Sequence, residues 1–161
     1  MRELIFGGIE SWASFFANHG IVRTLIGFMH VGGLLASGGC AVAADRATLL
    51  ARRLGLSERR LQLGSLKGLH RIVIAGLGLI VISGVLMFAS DFETYLYSKL
   101  FWTKMALFGL LLGNGALLIR AERQAEGGSV QAWSWLILAS KASIALWFLT
   151  TLAGSGLLNI G

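Results

Sequence analysis

The chain has no proline, one cysteine and few charged residues among its 161 residues. Without proline, helices can run uninterrupted. A single cysteine excludes an internal disulfide, and no paired cysteine motif suggests zinc or an iron–sulfur cluster. Charged residues make up 14% of the chain, whereas a soluble domain carries about 25%. A mostly water-exposed surface is therefore excluded.

Apolar residues dominate what is present. They make up 55% of the chain, and the mean hydropathy is +0.73. A helix that crosses the ~30 Å hydrocarbon layer needs about 20 mostly apolar residues. Four stretches qualify, at residues 24–44, 72–90, 100–119 and 133–157. The sequence therefore predicts an all-α fold, an integral membrane four-helix bundle that forms one domain over residues 1–161.

Lysine and arginine are distributed unevenly between the connections. Nine of them lie between spans one and two or between spans three and four, whereas three lie on the other side. The positive-inside rule then predicts a multi-pass protein of the bacterial cytoplasmic membrane with both termini outside. We expect anionic lipid headgroups, and not nucleic acid, to balance the net charge of +6.

Two segments outside the spans have an amphipathic pattern. Residues 1–20 are too short and too interrupted to span, and their apolar residues recur near helical spacing, which predicts an outer interfacial helix. The basic connection at residues 45–71 mixes leucine with arginine and predicts a short interfacial helix, broken at Gly55 and Ser57. Small-residue pairs, such as Gly109 with Gly113 and Gly33 with Ser37, predict close helix contacts within the bundle or between subunits.

Several side chains near the outer boundary have metal-binding chemistry. The spans predict that His30, Met87 and Met105 lie at a similar depth below the outer membrane boundary. Thioether and imidazole groups are ligands that copper accepts. Ordinary packing is the alternative, because methionine commonly fills apolar cores. In that case Lys104 would extend to the headgroups and pair with Asp91 or Glu93.

A second polar layer is predicted nearer the cytoplasm, where Asn114 could accept a hydrogen bond from Lys141. We expect no buried carboxylate in either layer. Haem b is a further candidate cofactor, with His30, His70 and Met105 as candidate axial ligands. His30 and His70 differ in height by roughly 17–20 Å, too far to share one iron, unless the second span begins near Leu61.

The marked residues resemble those of uncharacterised bacterial four-helix integral membrane proteins. The resemblance lies in the runs His30-Val31-Gly32-Gly33-Leu34-Leu35, Leu69-His70-Arg71 and Phe101-Trp102-Thr103-Lys104-Met105, together with Asn114. These proteins are distantly similar to the membrane domain of the copper-resistance protein CopD. The resemblance implies a four-helix bundle with His30, His70, Lys104 and Asn114 as its marked positions.

Three functions remain open. The first is a small metal- or haem-binding protein linked to copper handling or membrane electron transfer, and the second is an accessory subunit of a larger membrane complex or a homo-oligomer. A small transporter ranks last, because four helices without a repeat or a buried carboxylate offer little to gate. The sequence contains no soluble-enzyme motif, so we expect a non-catalytic protein.

Overall fold

The computed structural model describes residues 2–159, and it describes the side chains of all of them except 2–6, 56–57, 60, 62–63, 65–67 and 158–159. Six helices follow one another: α1 (Arg2–Asn18), α2 (Gly20–Ala51), α3 (Leu56–Ser90), α4 (Phe92–Tyr97), α5 (Lys99–Glu126) and α6 (Val130–Asn159). No strand occurs among these residues. The all-α prediction is therefore confirmed.

Four of the helices are long and apolar enough to cross a membrane. The segments are Gly20–Ala51, Gly68–Ser90, Lys99–Glu126 and Val130–Leu157. They match the four predicted spans, but all four extend further at one end or at both, since arginine and leucine continue a helix beyond its apolar part. The fold is thus that of a multi-pass membrane protein.

The basic connection is shorter than the sequence suggested. Residues 52–55 alone separate α2 from α3, so that the residues predicted to form an interfacial helix extend the two long helices instead. The break does fall at Gly55, whose N–H donates to the Glu58 carboxylate over 3.2 Å. The side chains of Arg60 and Lys67 lie outside the described residues.

Arg59 contacts both this connection and helix α6 of the bundle. Its guanidinium donates to the carbonyls of Leu54 and Arg52 over 2.9 and 2.7 Å. It also lies 5.2 Å from the ring centre of Trp133 on α6, within cation–π range. We call this side of the bundle, where residues 52–55 and 127–129 connect the helices, the basic end.

Helices α2 and α3 pack most closely at two glycines. A Cβ on Gly33 would lie 2.8 Å from the carbonyl oxygen of Gly76, and a Cβ on Gly76 would lie 2.9 Å from that of Gly33. Helix α5 packs on α6, and α6 on α2, whereas α3 and α5 make few direct contacts. The bundle is therefore open on its α3–α5 side.

The predicted pair of glycines on α5 has a different environment. Gly109 and Gly113 on α5 have open space where a Cβ would lie. Both are exposed on the outside of the bundle. This pair therefore makes no close contact within the described chain.

Helix α1 rests on the end of the bundle opposite the basic end. The Trp12 indole donates to the Leu86 carbonyl over 2.9 Å. The side chains of Leu4 and Ile5, on the predicted apolar face of α1, lie outside the described residues. Nearby, Phe88, Tyr95 and Phe101 pack ring to ring. Burial and, secondarily, the Asp91 carboxylate raise the pKa of the Tyr95 hydroxyl.

Candidate functional site

His30 lies inside the bundle and links α2 to α3. Its Nδ1 is 3.0 Å from the hydroxyl oxygen of Ser83, which is fully buried. The Ser83 hydroxyl oxygen also lies 2.5 Å from the Leu79 carbonyl oxygen, so that its single hydrogen has more than one acceptor within reach. The contact explains His30 as an interhelical hydrogen bond.

Lys104 reaches the same level from α5. Its Cε and Nζ lie 3.5 Å from the point where a Cβ on Gly154 would be, so that the glycine makes room for the side chain. The ammonium is close enough to interact electrostatically with His30. Lys104 is half-buried beside α6, in contrast to the expected pairing with Asp91 or Glu93. A cation in this place opposes the binding of a metal ion beside His30.

The predicted copper and haem ligands gain no support from the geometry. Met87 and Met105 are half-buried. Within the described part of the chain, no group of three or more His, Cys, Asp or Glu residues is arranged to hold a metal ion. Copper at His30, Met87 and Met105, and haem held by His30 or His70 with Met105, remain predictions.

His30 and His70 lie at different depths along the axis of the bundle. Ser83, the partner of His30, stands 13 residues after His70 on the same helix. At ~1.5 Å per residue this is about 20 Å. Although α3 begins at Leu56, the heights of the two histidines do not match, and the two rings cannot ligate one iron.

A cavity of about 300 Å³ lies at the level of His70, between all four long helices. Its walls are mostly apolar, with Leu77, Leu111 and Trp147 towards the middle of the bundle. Asp45, Thr48, His70, Glu122 and Ser143 bring polar groups to its other part, near the basic end. A mostly apolar pocket with a few convergent polar groups is typical of a small-molecule site.

Asp45 is the most unexpected of these residues. Its side chain is 5% exposed, and its Oδ2 has no hydrogen-bond partner among the described residues. The hydroxyls of Ser140 and Ser143 on α6 lie nearby. The expectation that no carboxylate is buried was therefore wrong, because α2 continues to Ala51 and carries Asp45 inside the bundle.

His70 and Glu122 join α3 to α5 at the same level. The imidazole Nε2 lies 3.2 Å from a carboxylate oxygen of Glu122. The sequence marked His70 as a candidate haem ligand and did not single out Glu122. A signal was present, since Glu122 follows Leu111, Gly115 and Leu118 at the spacing of one helix face, and all four line the cavity.

The predicted pair of Asn114 and Lys141 is arranged differently. The Asn114 amide donates to the Ala139 carbonyl on α6 over 2.9 Å. Lys141 lies on the outward face of α6 and is exposed. No hydrogen bond or ion pair of its ammonium is found among the residues that the structure describes. Asn114 thus holds α5 against α6, while Lys141 faces away from the bundle.

Comparison with models of known protein families, with curated proteins and with solved structures found no match. The resemblance to the membrane domain of CopD is neither supported nor contradicted by these comparisons. The fold and the site define the chain as an all-α membrane protein with a mostly apolar cavity between its four long helices.

Proposed function

We propose that the protein is a non-catalytic accessory subunit of a larger membrane complex, and that α6 binds a transmembrane helix of another protein. The observation that carries this proposal is the place of Lys141. It lies on the outward face of α6, with Leu138 before it and Phe148 after it on the same exposed side. That side of α6 meets either lipid or a partner.

Lys141 is deep in the membrane-spanning part of α6. The segment Val130–Leu157 has 28 residues, and Lys141 lies about 4 Å from its midpoint. If a ~30 Å hydrocarbon layer is centred on the segment, the Lys141 Cα is about 11 Å inside it. The four-carbon side chain of lysine is too short to bring its ammonium fully into the headgroups.

An unpaired lysine at this depth is costly. Insertion scales give a cost of ~2.5–3.5 kcal/mol for a lysine at the centre of a helix, and such residues face a bundle interior or pair with another group. A carboxylate on a partner helix would offset this cost, because it would neutralise the charge and accept the ammonium hydrogens.

A second copy of this chain offers no suitable carboxylate. Asp45 is buried, and Glu122 interacts with His70. The other acidic residues lie in α1 or near helix ends: Glu3, Glu10, Glu58, Asp91, Glu93 and Glu126. The partner is therefore a different membrane protein with an aspartate or glutamate at membrane depth.

We also propose that both termini face outward from the bacterial cytoplasmic membrane. The support is the concentration of arginine at the basic end, which the positive-inside rule assigns to the cytoplasm. Anionic headgroups would then contact Arg52 and Arg53, which are exposed there.

Association with a synthetic helix tests the partner surface. The purified full-length chain is placed in lipid vesicles with a polyleucine transmembrane peptide that carries one central aspartate, and binding is followed by energy transfer between dyes. We expect this peptide to bind roughly 3- to 30-fold more tightly than the all-leucine peptide, the range of one intramembrane polar contact.

Two variants decide whether Lys141 is responsible. Lys141→Leu should remove the preference for the aspartate peptide, whereas Leu138→Ala, one turn earlier on the same face, should keep it. Equal binding of the two peptides to the native chain, or an undiminished preference in Lys141→Leu, would contradict the proposal.

A further inference from the structure

The cavity near the basic end has the properties of a binding site, independently of the partner surface on α6. We propose that it binds the primary ammonium group of an amphipathic molecule, with the ammonium on Asp45 and the apolar part along the cavity walls. The argument rests on the burial of Asp45, the composition of the lining and the opening between α3 and α5.

The Asp45 carboxylate has an acceptor atom that a ligand could satisfy. The side chain is 95% buried and lines the cavity, and its Oδ2 has no hydrogen-bond partner among the described residues, although the uncharged hydroxyls of Ser140 and Ser143 lie nearby. Buried polar groups in native proteins are almost always hydrogen-bonded, and buried charges are paired. An N–H donor with a positive charge would satisfy both requirements at this atom.

The lining favours a cation over an anion. Among the described residues that form it, Asp45 and Glu122 carry carboxyl groups, His70 carries an imidazole, and none is lysine or arginine. Thr48 and Ser143 add hydroxyls that can accept from a donor. A primary ammonium has three hydrogens to donate, whereas a quaternary ammonium has none. The site should therefore bind a primary ammonium more tightly than a quaternary ammonium.

The long axis of the cavity suits an amphiphile that lies like a lipid. His70 stands near the basic end of α3, and Leu77, seven residues later, lines the same cavity about 10 Å further into the bilayer. A polar group at the level of Asp45 and an apolar chain that extends towards Leu77 and Trp147 would match this gradient.

The ligand can enter from the membrane. Helices α3 and α5 approach each other at few points along their lengths, and the pair of His70 and Glu122 bridges them beside the cavity. Ile74 on α3 and Leu112 on α5 line it and are 62% and 46% exposed. The cavity thus opens sideways to the bilayer, the place from which an amphipathic molecule arrives.

Binding of radiolabelled dodecylamine tests the site. The full chain is placed in phosphatidylcholine nanodiscs, and equilibrium dialysis against empty nanodiscs subtracts partition into lipid. We expect saturable binding at one site per chain, and binding of dodecyltrimethylammonium roughly 10- to 100-fold weaker, the loss that one charge-assisted hydrogen bond accounts for. The proposal would be overturned if no saturable binding were found, or if dodecylamine and dodecyltrimethylammonium bound equally tightly.

Two kinds of variant locate the site. Asp45→Asn keeps the volume of the side chain and should weaken dodecylamine binding by the same factor. Gly115→Phe should block it, because Gly115 lines the cavity and has open space at its Cβ position. Gly113→Phe is the matched control on the outward side of α5, where space is also open, and it should bind normally. Equal binding by both phenylalanine variants would refute the assignment.

The source of the ammonium is found by changing the lipid. A lipid amine should compete, so phosphatidylethanolamine nanodiscs should weaken dodecylamine binding if the ligand is a headgroup. Unchanged binding would identify a free amphiphilic amine as the ligand. Either result supports a binding site on Asp45. Neither result tests the proposed binding of a partner helix to α6.

Discussion

At the scale of residues, the polar groups inside the bundle form two levels. His30, Ser83 and Lys104 make up one level, and Asp45, His70 and Glu122 line the cavity of the other. His30 and Lys104 are identifiable from the sequence because they interrupt apolar spans. Asp45 is not, because it lies where the apolar run ends, and only the continuation of α2 as a helix brings it inside.

Replacement of Ser83 tests the contact of His30. Ser83→Ala removes the hydrogen-bond partner of His30 Nδ1 and should lower the free energy of unfolding by about 0.6–1.7 kcal/mol, the range of interhelical hydrogen bonds in membranes. Unfolding by sodium dodecyl sulfate in mixed micelles, followed by circular dichroism, measures this change.

Ser90→Ala is the matched control for this prediction, because the Ser90 hydroxyl donates only within its own helix, to the Met87 carbonyl over 2.7 Å. It should change the free energy of unfolding much less than Ser83→Ala. Equal effects of the two substitutions would show that the contact between His30 and Ser83 adds nothing to stability.

At the scale of elements, hydropathy predicts the four spans, but glycine spacing alone does not predict which faces meet. Gly33 and Gly76 form the crossing of α2 and α3, whereas Gly109 and Gly113 face outward. As sequence patterns, Gly33 with Ser37 and Gly109 with Gly113 are alike, but their roles differ because these depend on the rotation of each helix about its axis. The predicted second span begins at residue 72, whereas α3 begins at Leu56, since arginine does not interrupt a helix as it interrupts an apolar run.

Substitution at the crossing should separate these two kinds of glycine. Gly33→Ala places a Cβ 2.8 Å from the Gly76 carbonyl oxygen and 3.1 Å from Ile80 Cγ1. The helices must move apart, at a cost of about 1–3 kcal/mol typical of overpacking. The same micellar unfolding measurement should therefore show a clear loss of stability.

Gly32→Ala controls for the intrinsic effect of alanine in a helix, because a Cβ at Gly32 meets no atom within 4 Å. Its stability should be unchanged or slightly raised, as alanine favours helices over glycine. If both substitutions destabilised the chain equally, the close approach of α2 and α3 at Gly33 would be refuted.

At the scale of the whole molecule, the bundle has a basic end, an aromatic end where Phe88, Tyr95 and Phe101 pack, and an open α3–α5 side. The sequence predicts the basic end, because lysine and arginine are concentrated in two of its connections. It does not predict the open side or the cavity, since these depend on which helices pack together. The outward position of Lys141 likewise required the rotation of α6 to be known.

Cysteine labelling tests the orientation of the molecule. In a Cys40→Ser background, Tyr97→Cys at the aromatic end should react with an impermeant maleimide in intact bacterial cells. Ser129→Cys at the basic end should react only after the membrane is permeabilised. Both positions are exposed. The reverse pattern would place the basic end outside.

A charge exchange at Lys141 tests the accessory role most directly. The native chain is compared with Lys141→Asp, and each is mixed in vesicles with polyleucine peptides that carry a central aspartate, lysine or leucine. We predict that the native chain prefers the aspartate peptide and that Lys141→Asp prefers the lysine peptide. If the exchanged pair associates no more tightly than Lys141→Asp does with the leucine peptide, α6 does not recognise a charged partner helix.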